Sequence, residues 1–223
     1  MRISFIFPSR ERPTKFFKTL DNLKEFVIRE DHEVVCVLDE SDKTMNNDEV
    51  KERAKAYPQA RLNYTHTTGK VNAINKGLEF IDPAYDILIL IADDIEFTMK
   101  GFDYEIEVDT MKYAPKLDMI LHYPDQIPQS GRNQITMPVC GREFVSYFGH
   151  IYNPLFKSVW CDSFQLKISQ RLKKHKFIDK HLYLHNHPIW LKQPYDELMK
   201  RNESLYQEDS VTYFKLIAND FGL

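Results

Sequence analysis

Two adjacent carboxylates, Asp93 and Asp94, follow the most hydrophobic run of the sequence, residues 86–92. Carboxylate oxygens are the ligands that Mg²⁺ and Mn²⁺ prefer in proteins. A divalent ion bound here could bridge a diphosphate and stabilise the negative charge that forms on it as it departs. Aspartates are equally typical of solvated turns and helix N-caps, so the pair alone leaves both interpretations open.

The candidate ligand contacts around this pair, Asp93 among them, directly follow a predicted strand or lie in the first turns of a predicted helix. Arginine forks match phosphate oxygens, a lysine offsets phosphate charge, and an aspartate or asparagine can hydrogen-bond a nucleobase or a ribose. Taken singly, each candidate also fits an exposed loop, a turn or a solvated helix face. Their agreement over four consecutive element ends favours a ligand site. These candidates are Pro8, Ser9, Arg10, Arg12, Asp39, Lys70, Asn72, Asn75 and Asp93.

A histidine pair and a later aspartate extend the set. His185 and His187 stand two residues apart where a strand is predicted to end, so on an extended strand they share one face. One or both could complete the coordination of an ion held by Asp94, although paired histidines are also common on polar surfaces. Asp162 precedes a helix predicted to begin near Phe164, where it fits either an N-cap or a general base.

The elements that must position these residues alternate between apolar strands and amphipathic helices. The strands are continuous apolar runs, which indicates a mostly parallel central sheet flanked by helices. Ligands bind such sheets beyond the carboxyl ends of the strands, where the candidates stand. We therefore predict a Rossmann-like α/β fold. Its first half has strands at 3–7, 33–38 and 86–92 and helices at 14–29, 48–57 and 70–80.

The alternation of apolar strands and amphipathic helices changes after residue 98. No linker, internal repeat or low-complexity tract separates the two parts. We expect one domain whose second part completes a site that the first part begins. Proline at position 188 ends the last predicted strand. This part has predicted strands at 119–122, 135–140 and 181–185 and helices at 103–113, 164–174 and 203–219.

Composition excludes several classes of protein. The 223 residues carry 30 Lys and Arg against 33 Asp and Glu, which is not the basic excess of a dedicated nucleic-acid binder. Three scattered cysteines are too few for a disulfide framework or a CxxC zinc site, so we expect a reducing, cytoplasmic location. No apolar run is long enough to predict a transmembrane segment. The 7 glycines form neither GxGxxG nor a P-loop, so bound phosphates would need a metal and basic side chains.

Taken in order, the segments resemble the GT-A nucleotide-sugar glycosyltransferases, particularly their family 2-like group. The resemblance covers about residues 3–188 and rests on PSRERP, DESD, TGKVNAINKG, ILILIADD, VWCDSF and LHNHP. Asp39 and Glu40 match the family's paired acids, which contact the nucleobase. Residues 72–77 resemble its Asn-x-Gly helix, and residues 92–94 stand where its DxD motif lies.

Three positions depart from the family's pattern. Ala92 replaces the first aspartate of DxD, Glu40 replaces the second of the paired acids, and Ser41 replaces the glycine that follows them. Contacts to ribose or metal from the side of position 92 would therefore come from Asp93 or be missing.

The resemblance implies a GT-A domain over residues 1–223, with a nucleotide-binding half at about 1–98 and an acceptor-binding half at about 99–223. It implies transfer of a sugar from a UDP- or GDP-sugar donor to a hydroxyl of a carbohydrate or another acceptor. Mn²⁺ or Mg²⁺ is implied at Asp94 with His185 or His187, and Asp162 is implied as the base of an inverting transfer. Residues 123–152 are expected to shape the acceptor pocket.

Two other functions remain open on the sequence alone. A nucleotidyltransferase that makes a nucleotide-sugar shares the α/β layout and the need for a metal, although it more typically has a glycine-rich loop where Pro8–Pro13 contains none. A non-catalytic nucleotide- or carbohydrate-binding module of the same fold is favoured by Ala92.

Overall fold

Nine strands and nine α-helices make up the part of the chain that the computed structural model describes, residues 1–127 and 132–222. The strands are β1 (Ile3–Ser9), β2 (His32–Asp39), β3 (Ala60–Thr65), β4 (Ile87–Leu90), β5 (Ile95–Phe97), β6 (Ile120–His122), β7 (Val139–Gly141), β8 (His175–Phe177) and β9 (Tyr183–His185). The helices are α1 (Pro13–Phe26), α2 (Asp48–Ala54), α3 (Lys70–Lys76), α4 (Phe102–Tyr113), α5 (Arg142–Phe148), α6 (Cys161–Arg171), α7 (Pro188–Leu191), α8 (Glu197–Glu203) and α9 (Tyr206–Ala218).

Seven of these strands form one sheet in the order β3-β2-β1-β4-β7-β6-β8. The first four run parallel, β7 runs antiparallel to β4 and β6, and β8 is parallel to β6. The sheet is therefore mostly parallel, as predicted. A separate antiparallel pair, β5 with β9, sets Ile95 opposite His185 and so brings β9 beside the Asp93–Asp94 turn.

Alternate residues of the central strands enter two apolar cores, one on each face of the sheet. Phe5 and Ile89 belong to the core beneath α1 and α4, whereas Ile6 and Leu90 belong to the core beneath α3, α6 and α9. Both faces of these strands are buried, which is the reason that their sequences are continuously apolar. Pro13 is the first residue of α1. A backbone N–H at this position would have no acceptor within the helix, so proline costs no hydrogen bond there.

The strands predicted at 3–7, 33–38 and 86–92 are confirmed, and so are the first-half helices, each shorter than predicted. Strand β3 was not predicted, because an edge strand needs only partial burial and Arg61 and Asn63 make its sequence polar. Strands β5 and β8 were not predicted either, because three residues are too few to show a strand pattern of apolar residues. The helix predicted from Glu203 begins instead at Tyr206, since Glu203 ends α8. Among residues 1–127 and 132–222, no helix combines the length and the apolar character needed to cross a membrane.

Candidate active site

A cavity of about 710 Å³ opens where β1, β2 and β4 end. This is the edge of the sheet at which the topology predicts a ligand to bind. Both parts of the chain contribute to its wall. Of the sequence candidates, those that line it are Pro8, Ser9, Arg10, Arg12, Asp39, Lys70, Asp93, Asp94, Asp162, His185 and His187.

Asn72 and Asn75 are not among the lining residues. The Asn75 side chain accepts hydrogen bonds from the backbone N–H groups of Ile151 and Tyr152 (both 3.0 Å) and donates to the Tyr152 carbonyl (2.7 Å). Asn72 accepts from the N–H of Thr68 (3.1 Å). The structure thus places both amides in contacts that hold loops beside the cavity.

Asp93 is held by the segment that follows β1. Its carboxylate accepts hydrogen bonds from the Ser9 hydroxyl (3.2 Å) and the Arg12 guanidinium (2.9 Å). Burial raises the pKa of Asp93 to about 6, against the opposing charge of Arg12. A second nitrogen of Arg12 donates to Asp196 (2.6 Å). Arg12 therefore links two acids, and is not a free phosphate ligand in this structure.

Asp94 faces a histidine. Its Oδ2 lies 3.4 Å from Nε2 of His185, while its Oδ1 is buried without a hydrogen-bond partner among the described residues. On the other side of the ring, Nδ1 of His185 lies 3.7 Å from Oδ2 of Asp125. Burial disfavours the charged form of Asp94, but His185 outweighs it and holds the pKa of Asp94 well below its usual range. Burial lowers the pKa of His185, but the Asp125 and Asp94 carboxylates outweigh it and raise that pKa to about 9.

The donor atoms at Asp94 fit a divalent cation that takes its remaining ligands from a bound molecule. The unpartnered Oδ1 of Asp94 and Nε2 of His185 are the oxygen and nitrogen donors that Mn²⁺ accepts. Within residues 1–127 and 132–222, no three or more His, Cys, Asp or Glu side chains are arranged to hold a metal ion. The expected set of Asp94, His185 and His187 is thus not assembled as a closed cage, and diphosphate oxygens or water would have to complete it.

His187 serves a different local purpose. It is the N-cap of α7, and its Nδ1 accepts a hydrogen bond from the backbone N–H of Ile189 (3.3 Å). A neutral imidazole that accepts at Nδ1 has its proton on Nε2. In this arrangement His187 therefore has no free lone pair for a metal.

Lys70 is the cation best placed to meet an anion in the cavity. It begins α3 and forms no hydrogen bond or ion pair with the residues that the structure describes. Lys70 is exposed, and the partial desolvation that it meets at the cavity wall lowers its pKa. The acidic groups around it, Cys161, Asp162 and Asp94, outweigh that effect and raise the pKa above its ordinary value, so the side chain is charged.

Asp39 ends β2 and is only 3% exposed. One carboxylate oxygen accepts from the N–H (2.9 Å) and hydroxyl of Ser41, and the other from the N–H (3.1 Å) and hydroxyl of Thr67. Burial raises the pKa of Asp39, but these hydrogen bonds outweigh it and lower the pKa to about 2. Arg10, within 3.5 Å of Asp39, is partly exposed on the same wall. Asp39 thus joins the end of β2 to the segment that leads into α3.

Asp162 lies in the first turn of α6 and is not its N-cap. That position belongs to Trp160, whose φ of 64° is left-handed. The loop before it is fixed by Asp209 of α9, a fully buried carboxylate that accepts from the backbone N–H groups of Lys157 (3.0 Å), Ser158 (2.8 Å) and Val159 (2.8 Å). Asp209 was not predicted from the sequence, and it anchors the segment that presents Asp162 to the cavity.

Residues 188–206, named here the C-terminal wall, form a side of the cavity that the sequence did not predict. Asp196 caps α8 and pairs with Arg12, and Arg201 pairs with Glu11 at 2.6 Å. The wall adds an acid and aromatic rings to the cavity. These lining residues are Tyr195, Glu203 and Tyr206.

Part of the expected acceptor region also reaches the cavity. Of residues 123–152, the lining includes Gln134, Thr136 and Tyr152. Residues 128–131 of that region lie outside the described residues.

Comparison with known proteins gives the fold a name. No protein-family model and no curated protein sequence matches the chain. Among solved structures it is similar to a mannosyltransferase from Pyrobaculum calidifontis in complex with GDP-Man and Mn²⁺ (16% identity, 83% of this chain and 56% of that chain, TM-score 0.65). It is also similar to S. aureus TarS residues 1–349 in complex with UDP-GlcNAc (14% identity, 89% and 61%, TM-score 0.66).

A third similar structure is the glucosyl-3-phosphoglycerate synthase from Mycobacterium tuberculosis in complex with Mn²⁺, UDP and phosphoglyceric acid (14% identity, 86% of this chain and 73% of that chain, TM-score 0.61). The chain spans less than two thirds of the length of the first two solved chains. The three similar structures each cover between 83% and 89% of this chain. The chain has the fold of the GT-A glycosyltransferases.

Proposed function

We propose that the protein is a metal-dependent glycosyltransferase that moves a sugar from a UDP- or GDP-sugar to a hydroxyl acceptor. The observation that carries this proposal is the convergence of Asp94, His185, Lys70 and Asp162 on one cavity at the carboxyl ends of the strands of a GT-A sheet. The similar solved structures, which contain GDP-Man, UDP-GlcNAc or UDP, two of them with Mn²⁺, support the choice of donor.

In this proposal Asp94 and His185 hold Mn²⁺ or Mg²⁺. Such an ion, when bound to the diphosphate, supplies electrostatic stabilisation of the leaving group. Lys70 adds a positive charge from the start of α3, where it has no other partner among the described residues. A chain without a glycine-rich phosphate loop depends on such charges, because few backbone N–H groups are available to bind the phosphates.

The nucleoside is proposed to lie along Pro8, Ser9, Arg10 and Asp39, in the half formed by residues 1–98. The Asp39 carboxylate already accepts four hydrogen bonds. It therefore acts chiefly by fixing the segments around the nucleoside, while Arg10 remains partly exposed to contact it. Residues 99–223 supply Asp162 and the acceptor side of the cavity.

Asp162 is proposed as the general base of an inverting transfer. The acceptor oxygen attacks the anomeric carbon, the bond from that carbon to the phosphate oxygen breaks, and the nucleoside diphosphate leaves with the electron pair. The acceptor proton passes to the Asp162 carboxylate. Anchoring of the preceding loop by Asp209 supports this role, because a base must be held in place to act in line with the leaving group.

The test is a thermal-shift panel of UDP-, GDP-, CDP- and dTDP-sugars, each with Mn²⁺ or with EDTA. A donor at about 100 times its dissociation constant stabilises the fold by roughly 2.7 kcal/mol. We expect a Mn²⁺-dependent shift for the UDP or the GDP class, lost in Asp94→Asn. Free UDP or GDP as the product then identifies glycosyl transfer. Release of pyrophosphate from a nucleoside triphosphate and a sugar 1-phosphate, supplied in a parallel assay, would instead identify a nucleotidyltransferase. Binding without turnover in either assay would identify a non-catalytic module.

A further inference from the structure

Asp125 is a buried carboxylate that lies on the side of His185 opposite Asp94. Its side chain is 1% exposed, and its Oδ2 lies 3.7 Å from Nδ1 of His185. Nε2 of the same ring lies 3.4 Å from Oδ2 of Asp94. The imidazole therefore lies between two carboxylates, one near each ring nitrogen, and Nδ1 is buried with no hydrogen-bond partner closer than the Asp125 carboxylate among the described residues.

The backbone reinforces this arrangement. The N–H of His185 donates to the carbonyl of Asp125 (3.3 Å), and the other carboxylate oxygen of Asp125 accepts from the N–H of Ile127 (3.0 Å). The N–H of Asn186 donates to the carbonyl of Asp94 (2.8 Å). All three parts of the Asp94–His185–Asp125 row are thus tied to one another by the main chain.

Such a row determines which nitrogen of the His185 ring is available to bind a metal ion. If a cation replaces the proton on Nε2, a carboxylate near Nδ1 favours keeping the proton on that nitrogen, and the lone pair that binds the cation is then the one on Nε2, beside Asp94. His187 has the opposite arrangement, because its Nδ1 accepts from Ile189 and its proton is directed to Nε2.

We propose that Asp125 is a positioning residue for a divalent metal, which orients His185 so that Nε2 binds the ion together with Asp94, and that His187 is not a ligand. This inference rests on the metal site of the proposed function. Asp125 does not touch the ion in this arrangement. It acts through the ring of His185, as a carboxylate behind a metal-binding histidine does in other metalloproteins.

The first experiment titrates the whole protein with Mn²⁺, alone and with UDP or GDP, and follows free Mn²⁺ by electron paramagnetic resonance. We expect Asp125→Asn to weaken Mn²⁺ binding by about 10- to 100-fold while circular dichroism remains native. Asp125→Glu, which keeps the charge, should recover part of the affinity. The matched control is Asp118→Asn, which removes an acid paired with Lys174 outside the cavity lining and should leave binding unchanged.

A double-mutant cycle tests whether Asp125 acts through the histidine. In a His185→Gln background Asp125→Asn should have no further effect on Mn²⁺ affinity, because the ring that it positions is gone. Additive losses overturn the inference. Nitrogen coupling to bound Mn²⁺ in pulsed spectra should disappear in His185→Gln and persist in His187→Gln, and the reverse result also overturns it.

A measurement on the unaltered protein covers the case in which Asp125→Asn does not fold. With Cd²⁺ as a diamagnetic probe, long-range ¹H–¹⁵N spectra should show His185 protonated at Nδ1 only. Protonation at Nε2 would refute the inference. If Asp94→Asn loses Mn²⁺ and Asp125→Asn does not, the role of Asp125 fails while the proposed metal site stands. If the unaltered protein binds no Mn²⁺ with or without UDP or GDP, the proposed function fails as well.

Discussion

Arg12 and Asp196, which are 184 residues apart in the chain, form an ion pair at 2.6 Å. Through its other terminal nitrogen Arg12 also holds Asp93, the neighbour of the proposed metal ligand. The guanidinium of Arg12 therefore links the C-terminal wall to the turn that follows β4.

Arg12→Met should destabilise the protein by roughly 3 kcal/mol at neutral pH, because it leaves the buried Asp93 carboxylate without its cation. Asp196→Asn should have a smaller effect, about 1 kcal/mol or less, since Asp196 is 40% exposed. Urea unfolding measures both. Lys15→Met is the matched control, since Lys15 reaches only Asp196, at 3.4 Å; equal losses in Lys15→Met and Arg12→Met would contradict the role of Arg12.

Asp39 should make stability depend on pH in the acid range. Its pKa is about 2 in the folded protein, below its unfolded value near 3.8, so the stability that it contributes is present above pH 4 and lost as pH falls towards 2. At neutral pH, Asp39→Asn should lower the free energy of unfolding by roughly 2 kcal/mol. The difference in this free energy between the variant and the unaltered protein should shrink as pH falls from 4 towards 2. Denaturant unfolding at several pH values measures this. Glu40→Gln, a change at the exposed neighbour, should keep the unaltered protein's pH profile; a constant difference for Asp39→Asn would exclude this explanation.

Asp209→Ala should be strongly destabilising, by roughly 3 kcal/mol or more, because three backbone N–H groups lose their shared acceptor. Glu208→Gln is the control on the same helix, as Glu208 forms only an exposed pair with Lys157. Chemical unfolding compares the two. Fluorescence should also change in Asp209→Ala, because Trp160 follows the anchored loop and packs on Tyr213. Similar stability for both variants would show that the loop is held by other contacts.

Lys70→Met should weaken UDP or GDP binding by about tenfold to a hundredfold in titration calorimetry, because a charged hydrogen bond to phosphate is lost. Lys70→Arg should recover part of the affinity. Lys55→Met, at the C-cap of α2 and paired with Glu52, should leave the affinity unchanged. Unaltered affinity in Lys70→Met would remove this residue from the phosphate site.

Asp162→Asn should leave donor binding within about twofold of the unaltered value and lower transfer by about 10²- to 10⁴-fold, because the proton acceptor is lost but the donor contacts are kept. Product release is followed with the donor that the thermal-shift panel selects. Asp118→Asn serves again as the unaffected control. A transfer rate that survives in Asp162→Asn would assign the base to another cavity acid, of which Glu203 is one.

Local patterns were sufficient to predict a mostly parallel sheet, without its edge strands β3 and β8, and many of the side chains that line the cavity. Buried strands such as β1 and β4 are apolar on both faces, and ligand-binding side chains follow them directly, so position in the sequence indicated position in space. The same reasoning assigned Arg12 to phosphate, because spacing does not reveal the partners that a side chain has already engaged.

The C-terminal wall and the anchors behind the site could not be predicted in this way. Asp196 and Asp209 act through tertiary contacts with segments about 50 to 180 residues away. In the sequence each stands in an ordinary helical context. Only the folded positions of α8 and α9 show that Asp196 joins the cavity wall to Arg12 and that Asp209 fixes the loop before Asp162.

The distance in sequence between Arg12 and Asp196 also has a consequence for synthesis on the ribosome. A nascent chain that has emerged as far as His187 contains every strand of the described sheet, because β9 ends at His185. It does not yet contain the wall that pairs with Arg12 or the helix that anchors the loop before Asp162. The sheet can thus assemble during translation, whereas the enclosed cavity forms only after α8 and α9 have emerged. Ligand binding by a stalled chain would therefore report whether these two helices have left the exit tunnel.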